Sequence, residues 1–336
     1  MAFGENGIIF AGNLIVDQLK FVEYWPREMG LSTITRQENA FGGLACNCTL
    51  DMAQLAPEVP VKVVGIVGED SQGDSILDEF SKFPSIDAGM VLRDGETSFT
   101  DVITTPSGER TFFQFRGAGA ALGPEHFDFT KLKADIMHIG YILLLDRLDA
   151  KDPDYPTGMC RVLDNARKAG ILTSVDLVSI LGDHSRDIAV PAFAYTDILS
   201  INDLEAECVT NIQLRDPEGK LIEGALEPCV RALAGLGVSK WVCVHMPEVA
   251  VGFDVASGEY MEAKTLRLPE GFIASSVGAG DAFATGLLYA LYRGLCLKDA
   301  MDEANAIAAY SLSGSGASGA IKPLAEILEE MEQYRG

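Results

Sequence analysis

Apolar runs of strand length alternate along this chain with longer amphipathic segments of helical length. The runs are GIIFAG (7–12), VKVVGIVG (61–68), ADIMHIG (134–140), ILTSVD (171–176), DILSIN (197–202) and KWVCVHM (240–246). Short stretches so rich in Val, Ile and Leu suit strands buried on both faces, and a helix between each pair suits parallel crossovers. The pattern therefore predicts an α/β fold, a mostly parallel sheet covered by helices on both sides. Two stretches break the rhythm, roughly 18–40 and 93–117, where Thr, Phe, Val and Tyr alternate with polar residues around Gly and Pro. These predict antiparallel strands, inserted as a small sheet that lies over a site as a lid. No linker, repeat, low-complexity tract or charge block divides residues 1–336, so a single domain with an inserted lid is expected.

The segment SSVGAGDAFATGLLYAL (275–291) carries the first chemical signal. Phe283, Leu287 and Leu291 share one helical face with Ala284 and Leu288 beside them, which predicts a helix from about Asp281 to Arg293, ended by Gly294. Ahead of it, Gly278, Ala279 and Gly280 have almost no side chain, so their N–H groups can approach a ligand along the positive end of the helix dipole. Such a helix start binds phosphate. Asp281 at its edge would repel that anion unless it serves another partner, such as the hydroxyl that attacks the phosphate. The alternative is a tight turn with Asp281 as a plain helix cap.

Composition narrows the chemistry. The 336 residues are 48% hydrophobic and carry 26 Lys+Arg against 49 Asp+Glu, a net charge of −23, so the footprint of a nucleic-acid binder is missing. No window approaches the roughly 18 uninterrupted apolar residues of a membrane span, and the N-terminus does not resemble an export signal. The expectation is a soluble protein of the cytoplasm. The seven cysteines are odd in number and scattered through apolar stretches, which suits reduced, buried thiols. Only Cys46 and Cys48 lie close together, and His126, His138, His184 and His245 are far apart, so no Cys/His metal site is expected and the histidines are taken as structural.

Several motifs in a fixed order resemble those of the ribokinase-like (phosphofructokinase-B type) carbohydrate kinases, over nearly the whole chain. Residues 275–281 look like the family's Asp-Thr-x-Gly-Ala-Gly-Asp signature. The resemblance makes Gly278, Ala279 and Gly280 the anion hole and Asp281 the catalytic base. FGGLACNCTLDMAQL (41–55) is similar to the Gly-Gly signature, which implies that Gly42, Gly43 and Asn47 contact the acceptor, with Asp17 binding sugar hydroxyls. VGIVGEDSQG (64–73) resembles a Gly-x-x-Gly-x-Asp-x-x-Gly element, and SINDLEAE (200–207) carries an Asn-x-x-Glu, so Asn202 and Glu205 would act at the phosphates and their magnesium. EANAIAAYSLSGSGA (303–317) is like the late Ala-Asn-Ala helix and places Asn305 near the adenine. The implied fold is a three-layer α/β/α domain with a lid. The implied reaction is ATP- and Mg²⁺-dependent phosphoryl transfer to a hydroxyl of a sugar-like acceptor, in an enzyme that pairs through its lid as a homodimer in several relatives.

Plainer roles stand beside these. Gly65, Gly68 and Gly73 could be turn glycines, and their spacing does not fit the dinucleotide fingerprint. Asn202 and Glu205 have the spacing of a capping box. Asp17 and Asp176 each end an expected parallel strand, where open α/β sheets place ligands, but either could satisfy loop amides instead. Arg116 could bind an acidic group of the substrate or simply brace the surface. Departures also count. Ser275 and Ser276 stand where the signature has Asp and Thr, so potassium activation has no support. His245-Met246-Pro247-Glu248 replaces a glycine-containing turn, and Asp176 is followed by Leu177, Val178, Ser179 and Ile180 in place of a more polar motif. The acceptor is therefore open. The rivals are a nucleoside kinase on the same fold, a non-catalytic sensor, and a nicotinamide-dependent oxidoreductase whose glycine spacing is absent.

Overall fold

In the computed structural model, which describes residues 6–179, 185–314, 316 and 320–335, the apolar runs pair side by side into one sheet. Ile180 and His184 lie outside the described residues. The strands are β1 (Ile8–Gly12), β2 (Ile15–Val22), β3 (Ile34–Gly42), β4 (Val61–Val67), β5 (Ile86–Arg93), β6 (Ser98–Thr104), β7 (Arg110–Phe115), β8 (Ile136–Ile142), β9 (Leu172–Leu177), β10 (Ile198–Asn202), β11 (Trp241–His245), β12 (Val249–Asp254) and β13 (Glu259–Lys264). The helices are α1 (Leu44–Leu55), α2 (Ser71–Ser81), α3 (Asp146–Asp149), α4 (Gly158–Lys168), α5 (Ser185–Phe193), α6 (Asp203–Thr210), α7 (Glu223–Gly235), α8 (Ala279–Tyr292), α9 (Leu297–Ser311) and α10 (Leu324–Met331).

Among the described residues nine strands run in the order β13-β12-β11-β10-β9-β8-β1-β4-β5, all in one direction except β12, which is antiparallel to both of its neighbours. All six strands expected from the apolar runs are present, and they form the middle of this sheet. The edge strands β5 and β13 escape that pattern because each is half exposed. β12 is buried but follows β11 after only Met246, Pro247 and Glu248, with no helix between, so it breaks the strand-then-helix alternation. One core packs Met52, Phe283, Leu287, Ile307 and Ile327 of α1, α8, α9 and α10 on one face. The other packs Leu163, Ala189, Val209 and Val230 of α4 to α7 on the opposite face.

A second sheet, β3-β2-β6-β7, comes from the two stretches of alternating pattern. It differs from expectation in two respects. β2 and β6 pair in parallel. β2 also begins at Ile15, so Asp17 does not end a strand of the main sheet; it sits inside the small sheet, opposite Ala40 and Thr100.

Two contacts hold the strand ends that face this small sheet. At Gly12 (φ 122°) an added Cβ would lie 1.8 Å from the carbonyl oxygen of Gly140, its β8 partner. Only glycine permits that approach. It lets Asn13 clasp the end of β8: its N–H donates to the Gly140 carbonyl (3.1 Å) and its Oδ1 accepts from the N–H of Tyr141 (2.8 Å). In the 64–73 element, Asp70 caps α2 through Gly73 N–H (2.8 Å) and also accepts from the N–H (2.7 Å) and hydroxyl (2.6 Å) of Thr97. That element ties β4 to the base of β6.

Among the described residues no helix is long and apolar enough to cross a membrane, and no cluster of three His, Cys, Asp or Glu side chains is placed to hold a metal ion. All seven cysteines are free, five of them buried.

Candidate active site

The 275–281 segment turns into α8 at Gly278, whose left-handed φ of 83° suits glycine. The helix starts at Ala279, two residues before the expected start, because Ala279 and Gly280 already adopt helical geometry. The first N–H groups of α8 have no partner four residues back inside the helix and point outward along the dipole. At the other end Gly294 (φ 86°) stops the helix as expected, its N–H donating to the Leu291 carbonyl (2.8 Å).

Asp281 is the third helical residue and does not cap the helix. Its Oδ2 accepts from Nδ2 of Asn47 (2.8 Å) and from the hydroxyl of Tyr141 (2.6 Å), while Oδ1 is buried without a partner among the described residues. The side chain is 4% exposed. Burial raises its pKa above the ordinary carboxylate range, and the Tyr141 and Asn47 donors offset part of that rise. A buried oxygen left unmet is costly unless a ligand meets it.

Asn47 reaches Asp281 because α1 starts at the Gly42-Gly43 corner. Gly43 has φ 83°, and a Cβ on Gly42 would fall 2.5 Å from Oδ2 of Asp17. The corner thus presses Asp17 of β2 toward the start of α1. Burial pushes the Asp17 carboxyl up to about 6, against a Thr100 hydrogen bond and with help from the Asp281 charge. Asp176, near the end of β9, is raised by burial and then by Glu205 and Asp281. Glu205 is raised by burial, against hydrogen bonds from Asn202 and Ser179. The carboxyls of β2, β9, α6 and α8 thus act on one another: Asp281 on Asp17 and on Asp176, and Glu205 on Asp176. Perturbed carboxyls converging in a cleft mark a functional site more often than a structural one.

Asn202 and Glu205 do form a capping box. Oδ1 of Asn202 accepts from Glu205 N–H (2.9 Å), and Oε2 of Glu205 accepts from Asn202 N–H (3.0 Å). The Ser179 hydroxyl donates to the remaining Glu205 oxygen (2.8 Å). Asn305 donates from Nδ2 to the carbonyls of Ala263 (2.9 Å) and Lys264 (3.3 Å), tying α9 to β13. Arg116 donates to the Leu143 carbonyl (3.1 Å) and lies 3.6 Å from Asp146. His138, buried beside Ser174, and His245, packed on Phe283, are held neutral by burial, with pKa values lowered to about 3 and about 4.

Residues that the motifs did not single out also line this region. Tyr141 follows Gly140 at the ligand-facing end of β8, a position that could have flagged it. Asp51 of α1 is fully buried with neither carboxyl oxygen partnered among the described residues, and burial, then the Asp281 charge, raises its pKa. It therefore favours the neutral acid. Arg110, at the start of β7, donates to Oγ of Ser275 (3.1 Å).

Tyr141→Phe removes a donor that stabilises the Asp281 carboxylate, so the carboxyl pKa rises further. A base loses activity as pH falls through its pKa. The acid limb of kcat/KM should therefore move to higher pH, with a larger loss at the acid end than at the alkaline end. Parallel wild-type and variant profiles would contradict this role for Tyr141.

Comparison with known proteins gives the family. Residues 8–323 match the model of the pfkB family carbohydrate kinases, and the chain belongs to that family. It is an ATP-dependent carbohydrate kinase. It is 27% identical over 318 residues to the ATP-dependent ribose-1-phosphate kinase of Halopiger xanaduensis, covering 93% of this chain and 94% of that protein. The ribokinase of Arabidopsis thaliana, solved with ribose and ATP, superposes with a TM-score of 0.75 at 18% identity, covering 99% of both chains. The Methanocaldococcus jannaschii nucleoside kinase gives 0.74 at 19% identity, covering 99% of this chain and 100% of that one.

Proposed function

We propose that this kinase passes the terminal phosphoryl group of ATP to a sugar hydroxyl held against Asp281. The observation that carries the proposal is a buried Oδ1, without a partner among the described residues, in the first turn of α8, where helix N–H groups lack intrahelical partners. An acceptor hydroxyl at Oδ1 can give up its proton there, while the amides of the 278–280 segment take negative charge on the transferring group. In a largely dissociative transition state the proton leaves late, so a carboxylate is an adequate base. Asp17, Gly42, Gly43 and Asn47 are the residues proposed to orient the acceptor.

The small sheet acts as a lid in this account, since water admitted to the cleft would take the phosphoryl group instead. Magnesium, when bound, neutralises phosphate charge. No cluster of carboxylates among the described residues is placed to ligate the ion directly, so it would be held mainly through ATP and water. Both oxygens of Glu205 are already bonded within the fold, so Glu205 would meet the ion through water, beside Asp176. The free cysteines suit a reducing compartment such as the cytoplasm. On the outer face of the small sheet Phe113 is 54% exposed and stacked on Trp25, and we assign that face to homodimer pairing.

The proposal is tested by magnesium-dependent ADP formation from ATP across pentoses, hexoses, sugar phosphates, sugar acids and nucleosides. Turnover with a sugar or sugar derivative is expected. Turnover confined to nucleosides would move the assignment to a nucleoside kinase, the activity named for the M. jannaschii protein. ATP binding without turnover on any acceptor would favour a sensor.

A further inference from the structure

The register of the small sheet shows which side chains share a face. Asp17 pairs with Thr100, and Thr104 pairs with Arg110. Side chains alternate along a strand, so Asp17, Thr100, Thr104 and Arg110 project from one face, the one on which Thr100 and Thr104 are buried. Arg110 is therefore on the Asp17 side of the sheet, and its Nη1 crosses to Oγ of Ser275, a buried residue three positions before Gly278. The same oxygen accepts from Val277 N–H (3.2 Å), so Arg110 touches the loop that enters the anion hole.

Among the described residues no carboxylate lies within ion-pair distance of Arg110. Two other cations of the small sheet and its flank are paired, Lys20 of β2 with Asp101, and Arg116 just after β7 near Asp146. A guanidinium has five donors, and this one spends a single bond on a neutral hydroxyl. Arg110 is thus a cation without a described carboxylate partner on the Asp17 face of the small sheet, in a chain whose acidic groups outnumber its basic ones 49 to 26. Asp17, Asp176 and Asp281, where ionised, repel an anionic ligand that lacks a compensating cation. A neutral sugar needs no such cation.

We propose that Arg110 is a specificity-determining residue, and that the acceptor carries an anionic group, phosphate or carboxylate, which Arg110 binds while an acceptor hydroxyl faces Asp281. The proposal rests on the kinase assignment above and names its acceptor class. Bidentate guanidinium bonds to phosphate or carboxylate are among the stronger polar contacts and select for planar or tetrahedral oxyanions.

The test compares kcat/KM within matched pairs, a pentose against its phosphate monoester and a hexose against its sugar acid, for wild type, Arg110→Gln and Arg110→Lys. Wild type should favour one anionic member by roughly 10–100-fold, and the pair that shows the preference distinguishes phosphate from carboxylate. Arg110→Gln should erase that preference and Arg110→Lys should restore part of it. Equal or better use of the neutral members by wild type overturns the proposal and leaves the kinase assignment standing. A loss in Arg110→Gln that is the same for both members also overturns it, since the guanidinium would then act on the ATP phosphoryl group. Absence of ADP formation with any acceptor would remove the kinase assignment itself, and this proposal with it.

Discussion

Asp281→Asn should lower kcat by about 10²–10⁴-fold while ATP affinity stays within a few-fold of wild type. The substitution keeps the shape of the side chain. Its amide oxygen can take the place of Oδ2 and retain the donors from Asn47 and Tyr141, which approach that oxygen at 2.8 and 2.6 Å. The amide nitrogen then stands where Oδ1 is now, offering a donor to a hydroxyl that needs an acceptor. Folding should therefore survive while proton removal fails. Steady-state kinetics with an ATP titration check both halves, and near-normal turnover would remove Asp281 from the base role.

Gly12→Ala should cost about 3 kcal/mol or more of folding stability, the second large effect. The residue has φ 122°, and the new Cβ would meet the Gly140 carbonyl at 1.8 Å. Both sides of that contact are backbone in adjacent central strands, so neither can yield without disturbing the β1–β8 pairing. Gly170→Ala is the control: it also has positive φ (82°), but its Cβ would have no atom within 4 Å. That change should cost about 1–2 kcal/mol, the strain of a left-handed residue alone. Urea unfolding of both variants separates the contact from the strain. Equal losses would show that the close approach of β1 and β8 contributes nothing.

The central strands were legible because burial on both faces leaves a continuous apolar run. Where that condition fails, the pattern fails with it: β5 and β13 lie at sheet edges and mix polar with apolar residues. The helix after Gly278 was legible from spacing, but its first residue was not, since Ala279 and Gly280 carry no periodic signal. Asp17 shows a subtler limit. The family resemblance implies a role for it at the acceptor, yet its strand belongs to the small sheet, because a strand's sheet is set by pairing partners distant in sequence. Asn202 and Glu205 have a spacing that suits either a capping box or a phosphate site; the box forms through one carboxyl oxygen of Glu205, and Ser179 occupies the other. Tyr141 and Arg110 were not singled out, since each gains its meaning from a contact across 140 and 165 residues.

The most direct measurement follows the terminal phosphoryl group itself. With ATP labelled in that group, an accepted sugar and magnesium, wild-type enzyme should place the label on the acceptor in step with ADP formation, and Asp281→Asn should do so at least about 100-fold more slowly. Label released mainly as inorganic phosphate, or transfer at equal rates in the two proteins, would contradict the account.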